Sequence, residues 1–204
     1  MAARVVVLDY GSGNLRSAQR ALARVGADVT VTPDLTAARE ADGLVVPGVG
    51  AYAACMAGID GLAAGPVVAE RVRDARPVLG ICVGMQVLFE AGEEHGVVTK
   101  GLGLLPGTVT RLDAPVVPHM GWNVVDWPTG SGLGAGAPAG TRYYFVHSYA
   151  PPSTVDGALV GTATHGATTF AAAVERGCLW ATQFHPEKSG DAGAALLANW
   201  VRTL

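Results

Sequence analysis

The sequence has little cysteine, and none of it is arranged for a disulfide framework or a zinc site. Three cysteines occur, Cys55, Cys82 and Cys178, and no Cys-x-x-Cys pair joins them. An odd, widely spaced set excludes a disulfide-rich scaffold, and no histidine lies at a metal-ligand spacing. We therefore expect no metal, no other cofactor and a cytoplasmic location, since a reducing compartment is the default for such a chain.

Charge and long apolar runs are also scarce. Charged residues make up 15% of the chain and the net charge is −3, which gives no electrostatic case for a nucleic-acid partner. The most apolar window, residues 43–59, is broken by Pro47 and several glycines and falls short of a membrane span. No signal peptide is indicated near the N-terminus. We therefore expect neither nucleic acid nor a membrane as a partner.

Apolar residues are plentiful, and they follow an alternating strand and helix pattern. Half of the 204 residues are hydrophobic, which predicts one domain, residues 1–204, with a substantial core. The pattern predicts strands at 5–8, 28–31 and 44–46 and helices at 15–25, 35–40, 51–59 and 67–75. Such alternation predicts a parallel sheet covered by helices, with functional groups at the carboxyl ends of its strands.

After residue 94 the pattern changes to short alternating or apolar segments. These segments are residues 107–112, 123–127, 143–149, 158–163, 168–174 and 179–183. Their spacing predicts hairpins and an antiparallel extension of the sheet. Residues 128–140, rich in Gly, Ala and Pro, are predicted to form a flexible surface loop, and residues 192–204 a closing helix.

Cys82 carries the strongest local signal. Residues 78–81 predict a buried strand, Gly80 and Gly84 flank the cysteine, and a helical pattern runs from Val83 to Ala91. A strand, a tight Gly-x-Cys-x-Gly turn and a helix form the layout of a nucleophile elbow, and a helix N-terminus favours a thiolate. The alternative is a buried core cysteine, which is how we interpret the other two.

His185 and Glu187 are the candidate partners of that thiol. His185 follows a predicted strand, Pro186 prevents its continuation, and Glu187 lies two residues on. A thiol nucleophile needs a base, and the base needs an acceptor on its second nitrogen. The alternative for this segment is a solvated loop. Donors for an oxyanion would come from the Val83 N–H and from the glycine-rich residues 47–50.

Two of these segments together resemble a known family. Gly80-Ile81-Cys82-Val83-Gly84-Met85-Gln86 and Phe184-His185-Pro186-Glu187 resemble the motifs of the triad-type (class I) glutamine amidotransferases. The resemblance implies hydrolysis of L-glutamine through a thioester, with delivery of ammonia to a synthase. It also implies an α/β, flavodoxin-like three-layer fold with a central mostly parallel sheet and an antiparallel C-terminal extension. Val83, where Leu is usual, and a Gly/Ala-rich loop at 130–140 are mild departures.

Three further stretches are similar to one branch of this family, which supplies ammonia for histidine biosynthesis. They are residues 9–17, 117–123 and 144–149. The resemblance implies a heterodimer with a (β/α)₈-barrel synthase subunit. From the residues alone, Trp122 in its Pro/Gly-framed loop is either a core tryptophan or an exposed interface anchor.

The resemblance implies a role for each matching residue. Cys82 would be the nucleophile, His185 the acid and base, and Glu187 the group that orients it. The oxyanion would be held by Gly48, Val49, Gly50 and Val83, glutamine by Gln86, Glu94, His147, Ser148 and Tyr149, and the partner and ammonia passage would be contacted by Asn14, Trp122, Tyr144 and Lys188. The Val49–Gly50 peptide would turn on activation.

Three alternatives remain at this point. The chain could be a glutaminase that serves another synthase, such as one for pyridoxal phosphate or anthranilate. It could be a catalytically silent binding subunit that keeps the fold, against which the intact Cys82, His185 and Glu187 set speaks. It could also be a cysteine hydrolase that acts on peptides or small thiols, although Gln86 and the His-Pro-Glu order favour glutamine.

Overall fold

A computed structural model describes residues 1–204, and a seven-stranded sheet forms its centre. The chain forms thirteen strands in all: β1 (Arg4–Leu8), β2 (Asp28–Thr32), β3 (Gly43–Gly48), β4 (Val78–Cys82), β5 (Phe89–Glu94), β6 (Val97–Lys100), β7 (Leu105–Arg111), β8 (His119–Val124), β9 (Arg142–His147), β10 (Tyr149–Ala150), β11 (Leu159–His165), β12 (Thr168–Arg176) and β13 (Leu179–Thr182). The central sheet has the order β11-β12-β13-β4-β3-β1-β2. Its strands from β13 to β2 are parallel, and β12 and β11 pair antiparallel at one side. The α/β fold and the antiparallel C-terminal extension are therefore confirmed.

Six helices and one short 3₁₀ turn accompany the strands. They are α1 (Leu15–Arg24), α2 (Leu35–Glu40), α3 (Tyr52–Gly61), α4 (Gly65–Arg73), α5 (Val83–Gln86), the 3₁₀ turn Pro186–Lys188, and α6 (Gly190–Val201). Helix α1 packs against α6, and α2 packs against α4. No single helix is both long and apolar enough to cross a bilayer; α3 and α4 reach that length only together, across an 87° bend.

The helix that follows Cys82 is much shorter than the sequence predicts. The pattern extended it to Ala91, and this is wrong because α5 ends at Gln86 and β5 begins at Phe89. The backbone carbonyl of Leu88 accepts hydrogen bonds from Leu104 and Leu105, which draws the chain out of the helix. Val87 to Phe89 are completely buried, and a fully buried run has no polar face to distinguish helix from strand. With four residues, α5 offers the Cys82 thiol little of a helix dipole.

The short strands outside the central sheet form two smaller sheets. Strands β10, β7, β5 and β6 form one in that order, and β8 pairs with β9 in the other. The sequence did not predict β5 and β6, and it placed the strand at residues 123–127 too late, since β8 ends at Val124. The antiparallel segments therefore do not all extend the central sheet.

A buried arginine joins the two helices α2 and α4 to the sheet. The Arg71 guanidinium donates to the backbone carbonyls of Ala38 in α2 and of Ala41 directly after it, and to that of Pro77 before β4. Burial and then the charge of Arg76 lower the pKa of Arg71 to about 10. The side chain is completely buried, and carbonyl oxygens take the place of water around its charge.

Two local predictions from the sequence need correction. Cys55 is fully buried, whereas Cys178 is partly exposed and is not a core residue. The predicted surface loop at 128–140 carries a buried Leu133, whose backbone carbonyl accepts from the amide of Asn199 on α6.

Candidate active site

Cys82 ends β4 in a strained backbone conformation at the carboxyl edge of the sheet. Its φ of 57° and ψ of −116° are unusual for a residue that has a side chain. The flanking glycines make room for this turn, since a Cβ on Gly84 would overlap the carbonyl oxygen of Val46. A Cβ on Gly80 would meet Leu88 and the α5 backbone in the same way. The strand, turn and helix of a nucleophile elbow are therefore present around Cys82.

Cys82 lies on the wall of a cavity of about 300 Å³ at this edge of the sheet. The cavity lies at the small end of the range for small-molecule sites, which suits a ligand the size of one amino acid. The residues that line it are Val49, Gly50, Cys82, Val83, Gln86, Glu94, Val146, His147, Ser148, Tyr149, His185 and Lys188. The residues predicted to handle glutamine and the oxyanion all line it except Gly48, which pairs directly with Cys82 across β3 and β4.

His185 and Glu187 form a buried pair beside Cys82. His185 Nδ1 lies 2.7 Å from Glu187 Oε1, and both side chains are only 2% exposed. Burial alone would lower the pKa of His185, but its hydrogen bonds to Cys82 and Glu187, and their negative charges, raise it to about 9. Nδ1 of the charged ring therefore donates to Glu187, which leaves the other nitrogen for the hydrogen bond to Cys82.

Strand β9 and the start of α6 hold the His185 loop in place. The His185 N–H donates to the carbonyl of Tyr144 at 2.9 Å, and the Ser189 hydroxyl donates to the carbonyl of His185 at 2.7 Å. The N–H of Tyr144 donates in turn to the Ser189 hydroxyl at 2.9 Å. Ser189 is thus a support for His185 that the sequence analysis did not single out.

Two buried glutamines connect the Cys82 sulfur to the far wall of the cavity. Gln183 Nε2 lies 3.8 Å from Cys82 Sγ, and its Oε1 accepts from Gln86 Nε2 at 2.9 Å. Gln86 Nε2 also donates to the carbonyl of Tyr149 at 2.8 Å. Gln183 was missed as a site residue, although it follows β13 in the segment that carries His185; its contact with the sulfur needs the β13–β4 pairing, which the sequence does not reveal.

The segment after β3 does not present the Val49 N–H to the cavity. The Val49 N–H donates to the Ser12 hydroxyl at 3.3 Å, and that hydroxyl donates to the Val49 carbonyl at 3.0 Å. Gly50 has a φ of +84°, a conformation that glycine adopts without strain. The Val83 N–H stands in the first turn of α5, where helix N–H groups have no partner inside the helix.

Glu94 and Lys188 bring opposite charges to the cavity. Glu94 Oε2 accepts from the backbone N–H of Tyr52 at the start of α3, at 2.9 Å. Lys188 Nζ lies 5.8 Å from the centre of the Tyr144 ring. A zwitterionic amino acid therefore meets one carboxylate and one ammonium group in this cavity.

Three of the residues predicted to face a partner lie side by side. Trp122 on β8 is 54% exposed and meets the Tyr144 ring edge-on at 6.0 Å. Met120, on the same strand, is 67% exposed. Lys188 lies over the Tyr144 ring, so Trp122, Tyr144 and Lys188 form a continuous row, and Asn14, the fourth predicted contact, stands directly before α1. The alternative of a core tryptophan is excluded at Trp122.

Comparison with known proteins identifies the family. The model of the family "Glutamine amidotransferase class-I" matches residues 6–204. The chain belongs to the class I glutamine amidotransferase family.

Two similar curated relatives of this amidotransferase carry the same name. The chain is 62% identical over 218 aligned positions to a protein of Thermobifida fusca named imidazole glycerol phosphate synthase subunit HisH, with both chains covered completely. A protein of the same name from Mycobacterium tuberculosis is 64% identical, with 97% of this chain and 96% of the relative covered.

Solved structures of similar fold are more distant in sequence. A crystal structure described as a glutamine amidotransferase aligns with a TM-score of 0.74 and 21% identity, covering 95% of this chain and 98% of that one. A structure of PurLQS from Thermotoga maritima aligns with a TM-score of 0.76 and 18% identity, covering 100% and 99% of the two chains. At this identity the likeness concerns the fold, and it agrees with the amidotransferase architecture described above.

Proposed function

We propose that this chain, acting as a single domain, is the glutaminase subunit of an imidazole glycerol phosphate synthase. The observation that carries the chemistry is the buried His185–Glu187 pair on the cavity that Cys82 also lines. The relatives named as this subunit, 59–64% identical over nearly the whole chain, support the pathway. They also count against a glutaminase for pyridoxal phosphate or anthranilate synthesis.

Cys82 attacks the carboxamide carbon of L-glutamine as a thiolate. His185 holds the thiol proton, because its hydrogen bonds and the charges of Cys82 and Glu187 favour the imidazolium. Glu187 keeps the ring in the orientation that turns its second nitrogen to the sulfur. The Gln183 N–H at 3.8 Å from Cys82 Sγ further favours the negative sulfur.

The tetrahedral intermediate then loses ammonia. Its oxyanion meets the backbone N–H of Val83 and, once the Gly48–Gly50 segment has turned towards the cavity, the N–H groups of that segment; each such donor contributes on the order of 10²–10³ in rate. His185 gives its proton to the departing nitrogen, which leaves a glutamyl thioester on Cys82. Neutral His185 next removes a proton from water, the hydroxide attacks the thioester carbon, and L-glutamate leaves as the thiol is restored.

The electrostatics of the cavity suit the rest of the glutamine molecule. The carboxylate of Glu94 binds the α-ammonium, and backbone groups of His147, Ser148 and Tyr149 bind the α-carboxylate side. Gln86 braces the wall through its bond to the Tyr149 carbonyl.

The ammonia passes to a synthase subunit in a heterodimer, for which we propose a (β/α)₈ barrel. The row formed by Trp122, Tyr144 and Lys188 would meet that barrel, and Asn14 would lie at the rim of the passage. The complex would act in the cytoplasm and make imidazole glycerol phosphate and aminoimidazole carboxamide ribotide.

The test is a reconstituted complex of this chain with the synthase subunit, assayed with glutamine and separately with ammonium salts. Cys82→Ser should abolish synthesis from glutamine and retain synthesis from ammonia. Cys178→Ser is the matched control, because that thiol lies outside the cavity and both activities should persist. Glutamine turnover by the Cys82→Ser complex would contradict the nucleophile assignment.

A further inference from the structure

Two buried histidines connect the exposed strand β8 with the wall of the cavity. His119 Nδ1 lies 3.0 Å from His147 Nε2, and His147 Nδ1 lies 2.9 Å from the carbonyl oxygen of Tyr149. Asn123, four residues along β8, has its Nδ2 3.2 Å from His119 Nε2. His119 does not line the cavity, and the histidines here are not arranged with other side chains as a metal site.

The partners at the two ends fix the direction of each hydrogen bond. A carbonyl oxygen only accepts, so His147 must donate from Nδ1 to Tyr149 and must accept at Nε2. His119 must then donate from Nδ1 to His147 and accept at Nε2 from the amide of Asn123. The oxygen of the Asn123 amide accepts from the N–H of Val124 at 2.8 Å, which prevents the amide from rotating. Both histidines are therefore neutral and carry their proton on Nδ1.

The surroundings favour these neutral rings. Burial and then the charge of His165 lower the pKa of His119 to about 4. Burial is also the main cause that lowers the pKa of His147 to about 3, with smaller contributions from His119, His165 and His185. Those three histidines are the titratable groups facing His147, and Phe145 and Phe170 cover the remaining sides of His119.

The Tyr149 carbonyl, which accepts a hydrogen bond from His147, also accepts one from the side-chain amide of Gln86. Gln86 Nε2 donates to the Tyr149 carbonyl at 2.8 Å and to Gln183 Oε1 at 2.9 Å. Because the Gln183 oxygen faces Gln86, its Nε2 must face the Cys82 sulfur. If Gln86 lost its position, the Gln183 amide could turn and present its oxygen to the sulfur, which would destabilise the thiolate.

We propose that His119 and Asn123 are positioning residues for glutamine hydrolysis, which act through His147, Tyr149, Gln86 and Gln183 to keep an N–H donor on the Cys82 sulfur. This inference rests on the proposed role of Cys82. Asn123 is the neighbour of Trp122 on β8, so the chain of bonds begins at the surface proposed to meet the synthase subunit.

The first experiment measures the thiolate of Cys82 in the reconstituted complex. Iodoacetamide alkylation is followed from pH 5 to 10, and modification of the Cys82 peptide is quantified by mass spectrometry. His119→Phe keeps the stacked ring but removes both nitrogens, and we expect alkylation of Cys82 at neutral pH to slow roughly tenfold, the size of effect expected when a charged sulfur loses one hydrogen bond. The kcat for glutamine should fall by a similar factor.

Two matched variants separate positioning from packing. His119→Asn keeps a donor near the Nδ1 position and should recover most of the lost reactivity. His165→Phe is the control, because His165 stacks on His119 at 4.3 Å but bonds only to the carbonyl of Val116, and it should react within about twofold of wild type. Equal alkylation profiles for His119→Phe and His165→Phe, or no recovery in His119→Asn, would overturn the inference.

A spectroscopic measurement on the wild-type complex needs no variant to fold. The ¹⁵N shifts of the two rings should report neutral Nδ1–H tautomers for both His119 and His147 at pH 7. An Nε2–H tautomer or a charged ring at either position would also overturn the inference. A Cys82 that neither alkylates nor supports glutamine turnover in wild type would instead contradict the proposed function.

Discussion

The Ser12 hydroxyl hydrogen-bonds both the backbone N–H and the backbone carbonyl of Val49. The distances are 3.3 Å from the N–H and 3.0 Å to the carbonyl, and the Cys55 thiol donates to the same carbonyl at 3.4 Å. The Val49 N–H is one of the groups expected to meet the oxyanion, and here it is engaged away from the cavity. Loss of the Ser12 hydroxyl should therefore free this segment to turn its N–H groups towards the cavity.

Ser12→Ala should raise the glutaminase activity of the isolated chain. One net hydrogen bond contributes about 0.5–1.5 kcal/mol, so the population of the turned segment, and kcat without the synthase, should rise roughly 2- to 10-fold. Glutamate release is measured with and without the synthase subunit. Ser12→Thr keeps the hydroxyl and should resemble wild type, and Ser153→Ala, outside the cavity, is the control. A partner-free rate that stays constant or falls would argue against this restraint.

Glu187→Gln should leave the fold intact but remove most catalysis. The amide can accept at Oε1, but it lacks the charge that favours a protonated His185 and it can present a donor instead. We expect kcat for glutamine to fall about 10²- to 10⁴-fold, by analogy with the loss of an orienting carboxylate in other triads. Ammonia-dependent synthesis by the complex should be unchanged. A loss below about fivefold would mean that Glu187 does not orient the base.

The same variant should change how stability depends on pH. The folded-state pKa of His185 is about 9, above the ordinary 6.5, so the stabilisation is complete below pH 6.5 and is lost as the pH rises through about 9. Glu187→Gln lowers this pKa, and each unit of lowering should cost about 1.4 kcal/mol at pH 6.5. Urea unfolding of both proteins between pH 6 and 10 should give curves that converge above pH 9. A constant gap would show that the carboxylate acts on stability without His185.

Close packing at the elbow predicts an unusual cost for one methyl group. Gly84→Ala would drive its Cβ into the carbonyl of Val46, and backbone atoms cannot move aside as a flexible side chain can. We expect a loss of roughly 2–4 kcal/mol in the free energy of unfolding. Gly61→Ala is the control, because nothing lies within 4 Å of its added Cβ at the end of α3, and it should be neutral or up to about 1 kcal/mol more stable. Equal stabilities would contradict the tight elbow.

The parts of the fold that could be predicted are those with a local chemical signature. The spacing of the apolar residues and the helix-terminating residues beside them predicted α2 at residues 35–40. The Asp34 side chain caps this helix by accepting from the N–H groups of Thr36 and Ala37. The Gly-x-Cys-x-Gly turn likewise predicted the elbow, since close backbone contacts leave no room for a side chain at either glycine. Such signals lie within a few residues of the feature that they predict.

The parts that could not be predicted depend on contacts between distant segments. Val87, Leu88 and Phe89 are all apolar, so their pattern does not distinguish a helix from a strand. Only the pairing of β5 with β7 determines that the helix ends before them. An arginine in an amphipathic helix is expected on the protein surface. Arg71 is buried instead, because its guanidinium bonds to backbone carbonyls about thirty residues away. The His119–His147 contact similarly depends on the β8–β9 register, which pairs these two residues across the strands.

Trp122→Ala should weaken the complex while leaving the subunit stable. The side chain is half exposed and meets Tyr144 edge-on, so its loss removes little packing from the isolated chain, and we expect less than about 1 kcal/mol in unfolding. A large aromatic that becomes buried at an interface contributes about 2 kcal/mol or more, which corresponds to at least a 30-fold rise in the Kd for the synthase subunit. Val98→Ala is the matched control, since Val98 on β6 is 66% exposed but lies on a different sheet. Isothermal titration with the synthase subunit gives both Kd values, and urea unfolding gives the stabilities. Equal affinities for Trp122→Ala and Val98→Ala would remove β8 from the docking surface, and with it the proposed route from that surface through Asn123 and His119 to Cys82.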